Sequence, residues 1–157
     1  MLHFVVWIAW SMLHWCPTTS TCRMTAHYGP VARAMARAAV ERDASWEQRA
    51  DDASALSGYA SLESGYDPDA RGKLGEQGPW QLRWSRCEDY RKGGQRALDC
   101  QAREALRRLH EQGGACYTGE CVDMGGDWPL ARNRMWRASW WVSSHPFTPD
   151  AEPVAAR

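Results

Sequence analysis

The sequence predicts a single domain that is mainly α-helical. Long segments place apolar side chains at helical spacing, and Pro, Ser, Asp and Gly stand where helices begin and end. No stretch alternates apolar and polar residues convincingly over six positions, as a half-buried strand would. The chain has 157 residues, of which 44% are apolar, so it can build one core with little left for a second.

The charge balance disfavours a nucleic-acid partner. Lys and Arg together number 19, as do Asp and Glu, so the formal net charge is zero. A neutral chain has no general attraction for phosphate backbones, so we expect no binding to DNA or RNA. The five His residues have no metal-ligand spacing and no Cys-x-x-Cys pair occurs, so we expect no metal site.

The first fifteen residues, MLHFVVWIAWSMLHW, are almost wholly apolar. A membrane-spanning helix needs about 20 such residues, so this run is too short to cross a bilayer comfortably. Its length suits the apolar part of an export signal, although no Lys or Arg precedes it. We interpret residues 1–27 as an export signal or anchor followed by a linker, through which the protein would associate with a membrane. The alternative is a buried or membrane-lying helix of the mature protein.

Residues 28–142 hold the predicted helices. Pro30 opens an Ala-rich segment, and Pro is favoured in the first turn of a helix. Ser45 is a candidate N-cap for a helix that runs from Trp46 to about Ser64. Gly65 follows as a natural C-cap, so the helix is expected to end there.

Two further helices and a tail complete the chain. Residues 95–112 form an amphipathic helix with an apolar stripe of Leu98, Ala102, Ala105, Leu106 and Leu109. Asp127 caps a last helix that has Pro129 in its first turn. Residues 143–157 contain three Pro and are predicted to form a flexible tail.

Six cysteines allow fifteen disulfide connectivities. The simplest pairs neighbours along the chain: Cys16 with Cys22, Cys87 with Cys100, and Cys116 with Cys121. Three such bridges would place the protein in an oxidising compartment. The alternative is six reduced thiols in a cytosolic protein.

Glu63 is the candidate catalytic residue. It lies at the C-terminal end of a predicted helix, where unpaired carbonyl groups disfavour a negative charge. Leu56 and Tyr59 share its helix face and would partly desolvate the carboxyl group. Both effects raise a carboxyl pKa, as a general acid for glycosidic cleavage requires. The simpler interpretation is that Glu63 is an ordinary helix-end residue.

A glycine-rich loop follows Glu63 and ends in Gly78-Pro79-Trp80-Gln81. Glycines let a backbone approach a ligand closely. Trp80 offers a face on which a sugar ring can stack, and Gln81 offers hydrogen bonds to it. The simpler interpretation is that these glycines only form turns.

Together these two segments resemble the soluble lytic transglycosylase and goose-type lysozyme family. Glu63-Ser64 look like its catalytic Glu-Ser pair, and Gly75, Gly78 and Gln81 match its Gly-x-x-Gly-x-x-Gln loop. Tyr117-Thr118-Gly119 is the best match to a later Tyr-Asn-Ala-Gly-like segment, from which it differs by being one residue shorter. The resemblance covers about residues 30–142 and implies a lysozyme-like fold, which disulfides would stabilise.

The resemblance also implies an activity. Glu63 would act as the only acid and base in cleaving the bond between N-acetylmuramic acid and N-acetylglucosamine in peptidoglycan, leaving 1,6-anhydro ends. Ser64, Gly78, Trp80, Gln81 and Tyr117 would bind the glycan strand. No cofactor is implied, and the enzyme would be a monomer outside the cytoplasm.

Two alternatives remain at the level of sequence. A lysozyme-type hydrolase would activate water, commonly with a second carboxylate, for which Asp67, Asp69 and Glu76 are candidates. A non-catalytic protein that binds glycans could be built on the same scaffold.

Overall fold

The computed structural model describes residues 1–15, 28–82, 87, 93–111 and 144–149. This part of the chain contains four helices: α1 (Leu2–Trp15), α2 (Tyr28–Val40), α3 (Trp46–Glu63) and α4 (Gly94–Glu111). The predicted mainly α-helical class is confirmed. The predicted helix that starts at Asp127 lies outside the described residues.

Helix α2 lies at the centre and contacts the three other helices. Its buried residues are mostly small: Tyr28, Val31, Ala32, Ala34, Met35, Ala36, Ala38 and Ala39. Ala has high helix propensity and lets neighbouring helices approach closely. The helix begins at Tyr28, so Pro30 lies in its first turn. Pro is tolerated there because the first backbone N–H groups of a helix have no acceptor within the helix.

Helix α3 begins as predicted. The Ser45 hydroxyl accepts a hydrogen bond from the Gln48 amide at 3.2 Å, and the Gln48 side chain accepts one from the Ser45 amide at 3.0 Å. This reciprocal capping box satisfies two donors that the start of a helix would otherwise leave unpaired.

Helix α4 is amphipathic as predicted, and all five residues of its predicted apolar stripe are buried. Its polar face holds ion pairs, of which the best shielded joins Glu104 to Arg107 at 2.7 Å and to Arg108 at 3.1 Å. Hydrogen bonds from Arg107 are the largest influence on the Glu104 carboxyl group and lower its pKa, although burial acts in the opposite direction.

Helix α1 is part of the core. Phe4, Ile8 and Met12 recur one turn apart and are at most 1% exposed, and the helix packs against α2 and α3. The segment is therefore a helix with one face buried in the core, while its role as an export signal or anchor remains a prediction. No helix in the described part of the chain is both long and apolar enough to cross a membrane.

Part of the predicted flexible tail is also packed. The ring of Phe147 lies 4.8 Å from that of Phe4 and 5.2 Å from that of Trp46. The backbone carbonyl of His145 accepts a hydrogen bond of 2.9 Å from the indole of Trp7. Residues 144–149 therefore lie against α1.

One predicted disulfide is present, between Cys87 and Cys100, whose Cα atoms lie 5.7 Å apart. It joins the second turn of α4 to Cys87, which precedes the helix. The other two predicted pairs, Cys16 with Cys22 and Cys116 with Cys121, lie outside the described residues.

The burial of α1 predicts that Ile8→Ala destabilises the protein. Removing a fully buried isoleucine side chain should lower the free energy of unfolding by about 2–5 kcal/mol. Val6→Ala, on the exposed side of the same helix, is the control and should change it by less than about 0.5 kcal/mol. Urea unfolding of the full chain measures both. Equal, small effects would show that α1 does not belong to the core.

The Glu104 ion pairs predict a dependence of stability on pH. Because the folded-state pKa of Glu104 is lowered from 4.5, its contribution is present above that pH and is lost as the pH falls through the folded-state pKa. Glu104→Gln should therefore lower the free energy of unfolding at pH 7 by about 1.5–3 kcal/mol, with a smaller difference in acid.

Urea unfolding between pH 3 and 7 measures this difference. Glu111→Gln is the matched control, because Glu111 pairs with the same Arg107 but is 59% exposed. Surface pairs of this kind contribute at most about 1 kcal/mol. A constant difference between Glu104→Gln and wild type at every pH would contradict the assignment.

Candidate functional site

Glu63 is the last residue of α3 and is half-buried. Leu56 and Tyr59, which the sequence places on the same helix face, are 0% and 2% exposed. The face that carries Glu63 is therefore buried along most of its length and reaches the surface at its last turn. Glu63 therefore lies at the boundary between the buried part of α3 and the surface.

The chain reverses direction directly after Glu63. Gly65 and Tyr66 both have left-handed backbone angles, with φ of 63° and 70°. The amides of Ser64 and Tyr66 both donate to the carbonyl of Ala60 at 3.2 Å, which satisfies an acceptor that the helix end would leave unpaired. The predicted C-cap at Gly65 therefore has the backbone conformation for which glycine is favoured.

Tyr66 adopts a backbone conformation that is unfavourable for a side chain, and its packing compensates. The ring is fully buried and lies edge-on to Tyr28 at 5.2 Å. Its hydroxyl shares a hydrogen bond of 3.0 Å with the Ser57 hydroxyl on α3. Burial raises the pKa of the neighbouring Tyr28, so that phenol stays neutral. This buried pair of tyrosines fixes the start of the loop that follows α3.

Ser64 joins the end of α3 to the glycine-rich loop. Its hydroxyl lies 2.9 Å from the carbonyl of Pro79 and accepts a hydrogen bond of 3.1 Å from the amide of Asp67. A hydroxyl has one proton, and the Pro79 carbonyl is its nearest acceptor. We therefore assign the predicted ligand-binding Ser64 a role within the protein, where it holds the loop against the residue next to Glu63.

The loop itself is a short hairpin. Arg71 and Gln77 form an antiparallel bridge, flanked by hydrogen bonds from Gly72 to Glu76 (2.8 Å) and from Gly78 to Ala70 (2.9 Å). The turn at its tip has a left-handed Gly75, with φ of 92°. The glycines of the predicted motif thus shape a hairpin that begins soon after the Glu63 helix.

Gly78 lies where the hairpin meets α4. Its φ is 71°, and a methyl group on its Cα would come within 2.8 Å of Nε2 and 2.9 Å of Cδ of Gln101. Only glycine meets both conditions without strain. Its role in ligand binding remains a prediction, whereas the structure shows that it packs against Gln101.

Trp80 is in the core, and here the sequence-based expectation is wrong. Its exposed fraction is 0%, and its indole N–H donates to the Leu56 carbonyl of α3 at 2.9 Å. Stacking on a sugar requires an open ring face, which Trp80 lacks. The side chain instead anchors the end of the loop to the middle of the Glu63 helix.

Gln81 is half-buried and stabilises the end of the hairpin through a hydrogen bond. Its side-chain amide donates to the Gly78 carbonyl at 2.9 Å, and its carbonyl oxygen lies beside Gly72. Its φ of 44° is left-handed, as the tight return of the chain requires. The side chain keeps part of its surface open, so a hydrogen bond to a ligand remains a prediction. Tyr117, the remaining predicted binding residue, lies outside the described residues.

Two of the three candidate second carboxylates take part in turns. The Asp67 carboxylate accepts a hydrogen bond of 2.8 Å from the Asp69 amide. The Glu76 carboxylate accepts one of 2.9 Å from the Leu74 amide. Asp69 is exposed on the loop surface. The carboxylates of Asp67 and Glu76 therefore stabilise the backbone around them.

Gln101 is the residue that sequence reasoning missed. It is 3% exposed, and its side-chain oxygen has no hydrogen-bond partner among the described residues. It lies three residues after Leu98 and four before Ala105, on the apolar stripe of α4. The sequence did contain a signal for this residue: it places a polar amide side chain on the apolar stripe of α4, where apolar residues are expected.

A second group of charges lies between α2 and α4, around a shallow cavity of about 390 Å³. Two of the lining residues, Arg42 and His110, contact Asp52 of α3, and Glu41 pairs with Arg103. Each of the three arginines that line the cavity is paired with a carboxylate: Arg42 with Asp52, Arg103 with Glu41, and Arg107 with Glu104 and Glu111. Among the described residues, no cluster of three His, Cys, Asp or Glu side chains could hold a metal ion.

Comparisons with protein-family models, with curated proteins and with solved structures found no match to this chain. The functional argument therefore depends on the residues themselves.

The packing of Gly78 predicts that Gly78→Ala is destabilising. A left-handed alanine costs about 1–3 kcal/mol, and displacing the Gln101 amide adds to it. Thermal and urea unfolding measure the loss. Gly29→Ala is the control, because nothing lies within 4 Å of the added methyl group in the first turn of α2. It should leave stability unchanged or raise it by up to about 1 kcal/mol. Equal results for both variants would contradict the described geometry.

Proposed function

We propose that the protein is a lytic transglycosylase that cleaves the glycan strands of peptidoglycan on a lysozyme-like fold, with Glu63 as acid and base. The observation that carries the proposal is the hydrogen bond of 2.9 Å between Ser64 and Pro79. It ties the residue after Glu63 to the end of the Gly-x-x-Gly-x-x-Gln hairpin. The two motifs that resemble the family are thus brought together in space by one of their own residues.

The placement of Glu63 suits a general acid. Glu63 is the half-buried last residue of α3, so the helix fixes its backbone while part of the residue remains accessible to a glycan strand. In the first step, Glu63 donates its proton to the oxygen that links C1 of N-acetylmuramic acid to N-acetylglucosamine. That C1–O bond breaks and leaves an oxocarbenium-like sugar.

The second step returns the proton to Glu63. The ionised carboxylate takes the proton of the C6 hydroxyl on the same muramic acid sugar. The C6 oxygen then forms a bond to C1 and closes a 1,6-anhydro ring. The carboxyl group ends in the state in which it began, so neither a cofactor nor a second carboxylate is needed.

Two of the three candidate carboxylates of the loop favour this route over hydrolysis. An inverting hydrolase needs a second carboxylate to activate water, and a retaining one needs it as a nucleophile. Asp67 and Glu76 each accept a hydrogen bond from their own loop backbone. That geometry suits turn formation, and it supports a mechanism in which Glu63 acts alone.

The proposal includes a place outside the cytoplasm, where peptidoglycan is found. The disulfide between Cys87 and Cys100 supports it, because disulfides persist in oxidising compartments. We propose a monomer that acts on polymeric glycan strands, with Gly78, Gln81 and Tyr117 near the strand.

Glu63→Gln tests the proposal. The amide keeps the shape of the side chain but cannot donate a proton as an acid, so we expect at least about a hundredfold loss of cleavage. Purified peptidoglycan is digested with each protein, and released fragments are identified by mass spectrometry. Wild type should produce 1,6-anhydro ends and Glu63→Gln should not. Glu47→Gln, at the exposed first turn of the same helix, is the matched control and should cleave like wild type.

Each other outcome identifies an alternative. Reducing muramic acid ends would replace the transglycosylase with a lysozyme-type hydrolase and require a second carboxylate. Binding of wild type to peptidoglycan without any fragments would indicate a non-catalytic glycan-binding protein. Equal cleavage by wild type and Glu63→Gln would remove Glu63 from the mechanism.

A further inference from the structure

We propose that the outer face of α1 binds to the surface of a lipid bilayer while its inner face remains in the protein core. Leu2, Val6 and Leu13 are 73%, 48% and 52% exposed. With Trp10, which is 38% exposed, they recur at intervals of three or four residues and therefore form one stripe along the helix. This outer stripe comprises Leu2, Val6, Trp10 and Leu13.

The outer stripe lies opposite the buried residues Phe4, Ile8 and Met12. An ordinary surface helix has one apolar face and one polar face, because its outer side contacts water. Helix α1 has two apolar faces, and only one of them is covered by the core. Such exposed apolar patches mark binding surfaces for proteins or membranes.

The charges around the outer stripe favour a membrane. Residues 1–15 contain no Asp, Glu, Lys or Arg, so no fixed side-chain charge has to enter the bilayer surface and no carboxylate repels anionic lipids. The side chains that flank the stripe at its two ends are His3 and His14. Trp10 lies edge-on to the His14 ring at 4.7 Å, which places an amphipathic indole at the margin, as at membrane–water interfaces.

The size of the outer stripe disfavours a second copy of the chain. Its side chains and Met1 expose on the order of 500 Å², whereas a stable protein interface buries about 800 Å² on each partner. Binding to lipid hydrocarbon does not require an interface of that size, because the hydrophobic effect is non-directional and needs no complementary surface.

The helix would lie along the bilayer surface. Its 14 residues extend for about 21 Å, short of the roughly 30 Å of a hydrocarbon core. Its inner face is also held by α2 and α3, so it cannot leave the domain without exposing Ile8. The protein would therefore sit on the membrane with its folded domain intact. This inference does not depend on the activity proposed for Glu63.

Vesicle sedimentation with the full chain tests the inference. The vesicles contain three parts phosphatidylcholine and one part phosphatidylglycerol, and the fraction of bound protein gives a partition coefficient. We expect wild type to sediment with them. Val6→Gln/Leu13→Gln should lower the partition coefficient by about tenfold or more, since each buried side chain contributes that much at full burial. Leu74→Gln is the matched control: Leu74 is a 65% exposed leucine on the hairpin and should matter less than about twofold.

Circular dichroism establishes that the variants fold like wild type, which is expected because the substituted residues are exposed. Wild type that stays in the supernatant would overturn the inference, as would equal binding of wild type and Val6→Gln/Leu13→Gln. Sedimentation velocity without lipid gives the remaining outcome. A wild-type dimer that the double substitution dissociates, together with no vesicle binding, would assign the outer stripe to a second copy and overturn the membrane proposal.

Discussion

The alanine content of α2 determines how the other helices can be arranged. A helix that contacts three neighbours is buried on most of its circumference, and its large side chains would hold those neighbours apart. Ala32, Ala36 and Ala39 are fully buried, with Val31 and Met35 as the larger residues between them. This close approach brings α3 and α4 near enough for the hairpin to contact both. The position of the candidate site therefore depends on side chains that take no part in it.

At the candidate site, the proposed chemistry depends on one side chain, and neighbouring side chains hold the backbone in place. Glu63 is the group with the proposed acid-base role, and the side chains near it in the sequence mostly fix the backbone. The side chains of Ser64, Trp80 and Gln81 donate hydrogen bonds to the backbone carbonyl groups of Pro79, Leu56 and Gly78, respectively. Such a rigid frame suits a general acid, which must hold its proton at a defined distance from the bond that breaks.

Local signals predicted local structure well. The start of α3 followed from Ser45 and Gln48, because a capping box involves only residues within one turn. The stripe of α4 followed from helical periodicity, and Gly65 followed from the need for a left-handed residue at a helix end. In each case the determining contacts lie within the segment itself.

Features that depend on the direction of a side chain, or on packing against residues far away in the sequence, were predicted less well. Trp80 stands inside the sequence motif, but proximity along the chain does not say which way a side chain points. The N-terminal segment gave no information about its buried face, because periodicity is visible only where apolar and polar residues alternate and α1 is apolar on both faces. Gln101 meets Gly78 across the fold, so neither position alone reveals the contact.

The packing of Phe147 has a consequence for how the chain acquires its structure during synthesis. Phe147 completes an aromatic cluster with Phe4 and Trp46, and the His145 carbonyl holds the indole of Trp7 across a separation of 138 residues. Translation proceeds from the N-terminal side, so α1 is made long before these partners. The cluster can close only after Phe147 has been made. Until then, α1 lacks these aromatic contacts, and its apolar side chains remain accessible to chaperones or to a lipid surface.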